Sequence, residues 1–338
     1  MNQIAFFWGS ISIYWSSIFF ALAIIGSVFA SLQIRAIQNK TPNAVLLTAL
    51  ISIPLSLLFS RLVYWYCSFE QYRGILDALT SFGEGGHSLV GAAIGLFLAT
   101  VIVWRLNMVS SLMQLWDCVL PGSMIGIAIG RLSGFFSADD KGKIMFDNPS
   151  LQRLPFAVEI VNEATGTSDW RLATFLFESV AALIVFFVCH YIIRSFHQTN
   201  LGKEKVICSL PDGSVAMICL SFFGSLQVVL ESTRYDSLFL RTNGFISLMQ
   251  MVCLALVLTS IIFFSYHSIK INGGVDRKHI FTWLLCVILI GQSAYVEYYV
   301  QRHANEYFIC YTVMSIAMIS VSLLIIQLCC SCSTRSEK

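Results

Sequence analysis

Leu115-Trp116-Asp117-Cys118-Val119-Leu120-Pro121-Gly122-Ser123-Met124-Ile125-Gly126-Ile127-Ala128-Ile129-Gly130-Arg131 is apolar almost throughout, with an acid near one end and a guanidinium at the other. On a helix, Gly122, Gly126 and Gly130 fall on one face and form a continuous stripe of small residues. Such a stripe lets a second helix approach closely inside a membrane. Asp117 precedes a helix-kinking proline, Pro121. Arg131 ends the stripe, where it either snorkels to lipid headgroups or binds a phospholipid phosphate through two parallel hydrogen bonds.

Working outward, the same pattern recurs along the chain. Tyr14, Arg61, His87, Arg131, Glu178, Glu231 and Arg234 each sit at one end of an apolar span. If consecutive spans alternate in direction, all of them fall in the same half of the bilayer. Ionisable groups inside a membrane are costly and usually face a bundle interior or a watery cavity. A polar chamber opening toward one leaflet is therefore expected. Composition agrees: 57% of residues are hydrophobic and 12% charged, with a mean hydropathy of +0.74, whereas a soluble domain carries about 25% charge.

Nine stretches are long enough to cross about 30 Å of hydrocarbon at roughly 20 residues each. They lie near Ile11–Gln33, Ala44–Tyr66, Ser88–Trp104, Leu112–Phe135, Leu172–Ile193, Gly213–Thr233, Phe245–Tyr266, Ile280–Val300 and Phe308–Cys330. The expected fold is an all-α polytopic membrane helix bundle of about nine transmembrane helices. The first span lacks the basic n-region of a cleavable signal peptide, since the first basic residue is Arg35. Basic residues in short loops place the N-terminus outside, once Lys141, Lys143, Arg153 and Arg171 of one long loop and the chamber arginines are set aside. That long connection, roughly Phe136–Arg171, reads as an irregular cap over the chamber, because long loops are usually functional lids. The net charge of +2 carries no nucleic-acid signal, and the eleven cysteines show no zinc spacing.

Two further segments carry chemistry. Gly83-Glu84-Gly85-Gly86-His87-Ser88 leads into the third span, where Gly91 and Gly95 make a second small-residue face. Glycines at a helix start let backbone amides approach an anion; the bland reading is packing alone. Gly224, Gln227, Glu231 and Arg234 share one face of the sixth span, so Glu231 and Arg234 are expected to pair locally, for function or simply as a structural lock. Glu178, about two turns into its span, needs a partner, with Arg61 or Arg131 as candidates.

In this order, these segments resemble the bacterial prolipoprotein diacylglyceryl transferase family. Ile13-Tyr14-Trp15 is similar to its first-helix tyrosine, and Ser60-Arg61-Leu62-Val63-Tyr64 to the end of its second helix. Gly85-Gly86 followed by Gly91 resembles its Gly-Gly pair, catalytic His or Tyr, and further glycine. Asp117, Pro121, Gly130, Arg131, Phe135 and Gly142 follow its fourth-helix signature. Leu154-Pro155-Phe156-Ala157-Val158 and Ala173-Thr174-Phe175-Leu176-Phe177-Glu178-Ser179 resemble the approach to its fifth helix, and Glu231 with Arg234 its acidic-then-basic pair. The chain departs from the pattern at Val90, where the family has its proposed base, at Gly134 in place of an asparagine, and at Gln227 in place of an arginine.

The resemblance implies a seven-helix core over residues 1–270, with residues 271–338 adding two helices and a short cytoplasmic tail. It implies transfer of a diacylglyceryl group from phosphatidylglycerol to the lipobox cysteine of a preprolipoprotein, in a bacterial inner membrane, among membrane lipids, with no cofactor or metal. His87, Tyr14 and Glu231 are the implied catalytic residues. Arg131, Arg234, Arg61, Gly85, Gly86, Gly91 and Gly142 are the implied phospholipid-binding set. His87 lies about one turn, some 5 Å, before the family position, against a base's reach of roughly 3 Å; loop remodelling closes that gap, or His87 is a simple helix-end residue. The alternatives are a non-catalytic phospholipid or lipopeptide binder, favoured by the three departures, and a small-anion transporter. Transport requires polar groups deep in the bundle, for which Asp117, His190 and Gln250 are the candidates. Glu297 and Arg302 either pair with each other or extend the chamber wall.

Overall fold

The computed structural model describes residues 4–9, 11–72, 74–80, 86–137, 141–144, 149–161, 168–201, 206–240, 243–303, 307–332 and 334–337. A hairpin of β1 (Ile4–Trp8) and β2 (Ile11–Tyr14) leads into α1 (Trp15–Ile37). Helices α2 (Asn43–Cys67), α3 (Ile75–Thr80), α4 (Leu89–Arg105) and α5 (Leu112–Arg131) follow. The one-turn α6 (Pro149–Gln152) and the hairpin β3 (Ala157–Val161) with β4 (Ser168–Leu172) connect to α7 (Thr174–Leu201). Next come β5 (Val206–Ser209), α8 (Ser214–Thr233), the hairpin β6 (Phe239–Leu240) with β7 (Asn243–Ser247), and α9 (Leu248–Asn272). Helices α10 (Arg277–His303) and α11 (Tyr307–Ser331) precede β8 (Thr334–Glu337), which pairs antiparallel with β5.

Among the described residues, eight helices are long and apolar enough to cross a membrane, and α4 is a shorter apolar helix of 17 residues. The protein is a multi-pass membrane helix bundle. The helical bundle is as expected, and among the described residues four short two-stranded antiparallel sheets lie at the helix ends. They are too short to show a clear period-two pattern, yet they satisfy backbone groups where the chain leaves a helix. The segment expected to be an irregular cap contains one of them, β3–β4.

Small residues decide which helices touch. The Gly122–Gly126–Gly130 stripe of α5 lies against α1: a Cβ on Gly122 would run into the Ser31 side chain, and one on Gly126 would come within 3.0 Å of the Ala23 carbonyl and the Ser27 Cβ. Gly91 and Gly95 of α4 press on the α2 backbone at Phe59 and Ser56 in the same way. Ser56 Oγ adds a 2.9 Å hydrogen bond to the Ala92 carbonyl. Dispersion and such interhelical hydrogen bonds carry the association, because lipid tails are as apolar as the helix faces.

Helix α8 is the hub. Of its apolar window 72% is buried, against 22–44% for the other spanning helices, and it packs on α5, α7, α9 and α11. Its start is capped by Asp117, which accepts from the Gly213 amide at 2.7 Å and the Ala216 amide at 2.8 Å. A carboxylate facing the orphan amides and positive end of a helix dipole explains this acid inside an apolar span. The start of α9 is closed by a capping box between Ser247 and Gln250. Two of the three residues that a transport path required are thus helix caps. Gln250 lies not deep in the bundle but in the first turn of α9.

Candidate active site

At the end of the bundle where α5 and α8 finish and α7 begins, four of the residues expected to share a chamber meet: Arg131, Glu178, Glu231 and Arg234. Glu178 Oε2 lies 3.0 Å from Arg131 Nε, and Arg234 Nη1 donates to both Glu178 oxygens at 3.3 Å. Gln227 Nε2 donates to Glu178 Oε1 at 2.7 Å and reaches Glu231 Oε2 at 3.4 Å. Glu178, Gln227, Glu231 and Arg234 are all buried. Breaking such a buried ionic group by removing one partner is strongly destabilising, so its members hold one another in place. Arg131 is therefore the partner Glu178 required, with Arg234 as a second cation.

Arg234, expected to pair locally with Glu231, stands where the helix ends. Arg234 is the C-cap of α8, with extended backbone at φ −78° and ψ 144°. Regular helical spacing no longer applies there, and the side chain reaches Glu178 on α7. Along its other edge the guanidinium meets Asp236, Nε to Oδ1 at 3.1 Å and Nη2 to Oδ2 at 2.7 Å. Asp236 escaped the sequence reading, although an acid two residues beyond the arginine was the available signal.

The end of α8 is tied down carbonyl by carbonyl. The last four carbonyls of a helix lack internal partners and, in a membrane, need others. Leu230 O accepts from Thr233 Oγ1 at 2.7 Å, and Glu231 O from the Arg234 amide at 3.2 Å and Ser237 Oγ at 3.1 Å. Ser232 O accepts from the Tyr311 hydroxyl at 3.3 Å, and Thr233 O from the Lys143 amide at 2.7 Å. Residues 141–144 thread beside this end: the Tyr235 amide donates to Lys141 O at 3.0 Å, and the Gly142 amide to Leu172 O at 2.8 Å. A Cβ on Gly142 would lie 2.8 Å from Thr174 Oγ1 and 2.9 Å from Leu172 Cβ, so only glycine fits without displacement.

A second group forms where α2 ends and α4 begins. Arg61 is buried; its Nε donates to Ala78 O at 2.6 Å and its Nη1 to Gly86 O at 2.8 Å, with the Tyr72 ring 5.3 Å away. Arg61 thus positions the loop entering α4. Gly86 has φ +79°, and a Cβ there would meet Tyr64 at 2.6 Å; Gly85 lies outside the described residues. Ser88 is the N-cap of α4, accepting from the Gly91 amide at 3.4 Å, while its own amide donates to Ser60 O. His87 therefore stands directly before the N-cap, just outside the helix. Its outer edge is exposed, but packing around the ring, and then the Arg61 guanidinium, push its imidazole below the ordinary 6.5. Tyr14, the N-cap of α1, is exposed at 38% and leads into Trp15, which stacks on Phe136 at 4.7 Å. Gly91 is buried in the α2–α4 contact.

The sequence model of a family described as prolipoprotein diacylglyceryl transferase matches residues 3–266. A phosphatidylglycerol–prolipoprotein diacylglyceryl transferase of Clostridium kluyveri is 30% identical over 267 residues, covering 79% of this chain and 96% of the relative. A protein of that name from Lactococcus lactis subsp. lactis is 24% identical over 272 residues, covering 80% of this chain and 97% of its own length. One from Listeria innocua is 26% identical over 273 residues, covering 80% and 92%.

Proposed function

The chain belongs to the prolipoprotein diacylglyceryl transferase family, and we propose that it transfers a diacylglyceryl group from phosphatidylglycerol to the lipobox cysteine of a preprolipoprotein. The observation that carries this reading is the convergence of Arg131 and Arg234, from helices distant in sequence, on one buried carboxylate. In the reaction a cysteine sulfur attacks the glycerol carbon bearing the phosphate. The S–C bond forms, the C–O bond to phosphate breaks, and negative charge gathers on the departing glycerol phosphate. Two guanidiniums fixed in advance are suited to that charge, because preorganised donors cost no rearrangement at the moment of reaction. The thiol proton must leave first, since the thiolate is the nucleophile.

His87 is assigned as the base that takes this proton. An imidazole held below 6.5 is neutral at pH 7 and able to accept. Its place outside α4, directly before the N-cap Ser88, supports the loop remodelling that the offset from the family position demands. Tyr14 donates a hydrogen bond to the lipid headgroup. Arg61, Gly85, Gly86 and Gly91 shape the α4 entrance, Gly142 seats the strand beside Arg234, and Glu231 completes the buried network. Gln227, neutral where the family has an arginine, links Glu178 and Glu231 through one amide nitrogen. Residues 1–270 form the transferase core, with α10 and α11 added to it. The end carrying the arginines faces outward from a bacterial inner membrane, where the N-terminus also lies.

Complementation of a bacterial strain depleted of its own transferase tests the reading. Restored growth with lipid-modified prolipoprotein is expected. A chain that accumulates in the membrane yet leaves prolipoprotein unmodified overturns the assignment.

A further inference from the structure

Helices α10 and α11 begin beyond the end of the family match at residue 266, yet they reach the transferase end of the bundle. Glu297 on α10 is 6% exposed. A carboxylate is costly to bury unless hydrogen bonds compensate it, and this one has three donors, two from other helices and one from the next turn of α10. Ser232 Oγ of α8 donates to its Oε2, Gln250 Nε2 of α9 to Oε1 at 3.3 Å, and Gln301 Nε2 to Oε1 at 2.7 Å. Gln250 Nε2 also contacts Val228 O of α8 at 3.3 Å. From α11, the Tyr311 hydroxyl donates to the carbonyl of the same Ser232. Ser232 follows Glu231 directly and stands two residues before Arg234. Both the side chain and the carbonyl of Ser232 are thus held from outside the matched region.

We propose that Glu297, acting through Ser232, is a positioning residue for the transfer reaction, so that the added helices are part of the site and not an appendage. The proposal rests on the transferase reading above. Glu297 fixes the rotation of the last turn of α8 about its axis, and with it the place of Glu231 and the departure of the chain into Arg234. Helices α5 and α7 hold the opposite side of that turn through Glu178. The last turn is clamped from both flanks, and a shift of a fraction of an ångström on the α10 flank is passed to the guanidinium.

The test uses the full-length chain in phosphatidylglycerol proteoliposomes with a fluorescent lipobox peptide, following lipidated peptide. Glu297→Gln keeps the shape and replaces an acceptor with a donor; Ser232→Ala removes only the hydroxyl. Each is expected to lower kcat by roughly ten- to a hundredfold, the cost of a small misplacement, with KM for the lipid within about twofold. The double variant should lose clearly less than the product of the two single losses, because the variants share the Ser232–Glu297 contact. Because Ser232→Ala takes one donor from a buried carboxylate, thermal unfolding in detergent should show a modestly lower midpoint, and kcat is read per folded protein at a temperature where both chains stay folded. Unchanged kcat in either variant, effects that multiply in the double, or a kcat loss that merely tracks loss of folded protein overturns the proposal and leaves the transferase reading intact. A parent chain with no transfer at all overturns both.

Discussion

Arg131 and Arg234 each give Glu178 a different part of the guanidinium, one through Nε and the other through Nη1. A lysine ammonium in place of Arg131 would preserve the charge but not the planar fork that can serve a carboxylate and a phosphate together. Arg131→Lys is therefore expected to lower kcat/KM by about a hundredfold, the scale of removing one preorganised donor to a developing anion, in the proteoliposome assay. His87 makes a separate prediction. Because packing and Arg61 disfavour its cation, the neutral base persists as pH falls, and the acid limb of kcat/KM should have its midpoint below 6.5. His87→Ala should abolish transfer; turnover equal to the parent would remove His87 from the mechanism. Gly134, a departure from the family pattern, has a visible cause: a Cβ there would lie 2.6 Å from the Phe175 ring, which occupies the room a side chain would need.

Helix ends, rather than helix faces, organise the next level. Asp117 was legible in the sequence as an acid before a proline, but its use was not, because its partners are amides far along the chain. Asp117→Ala leaves the Gly213 and Ala216 amides buried without acceptors, which should cost roughly 1–3 kcal/mol of stability, read by chemical or thermal unfolding in mild detergent. Since the cap lies at the end of α8 opposite Arg234, the folded fraction should keep its kcat. The glycine stripes behave differently. Their period predicted close helix contact, and α1–α5 and α2–α4 are the pairs that use them. Helical spacing alone did not show that Arg234 also reaches Glu178 on α7, because the residue stands one position past the end of its helix.

At the scale of the whole molecule, helix alternation places Cys330, the exposed thiol near the end of α11, at the face opposite the arginines. With the N-terminus outside, a membrane-impermeant thiol reagent should leave Cys330 unmodified in intact cells and label it after permeabilisation, as read by peptide mass. Labelling in intact cells would invert the orientation. The sequence by itself determined the helix number, the apolar spans, the family and the residues bearing charge, because hydropathy, helical period and ordered motifs are local properties of the chain. Only the tertiary structure decided partners. Glu178 took Arg131 and Arg234 while Arg61 went to the loop entering α4, and Glu297 went to Ser232 rather than Arg302, whose guanidinium lies over the Tyr298 ring. A buried polar group takes whichever donor or acceptor folding brings within about 3 Å, and that distance is fixed by packing between helices far apart in the chain.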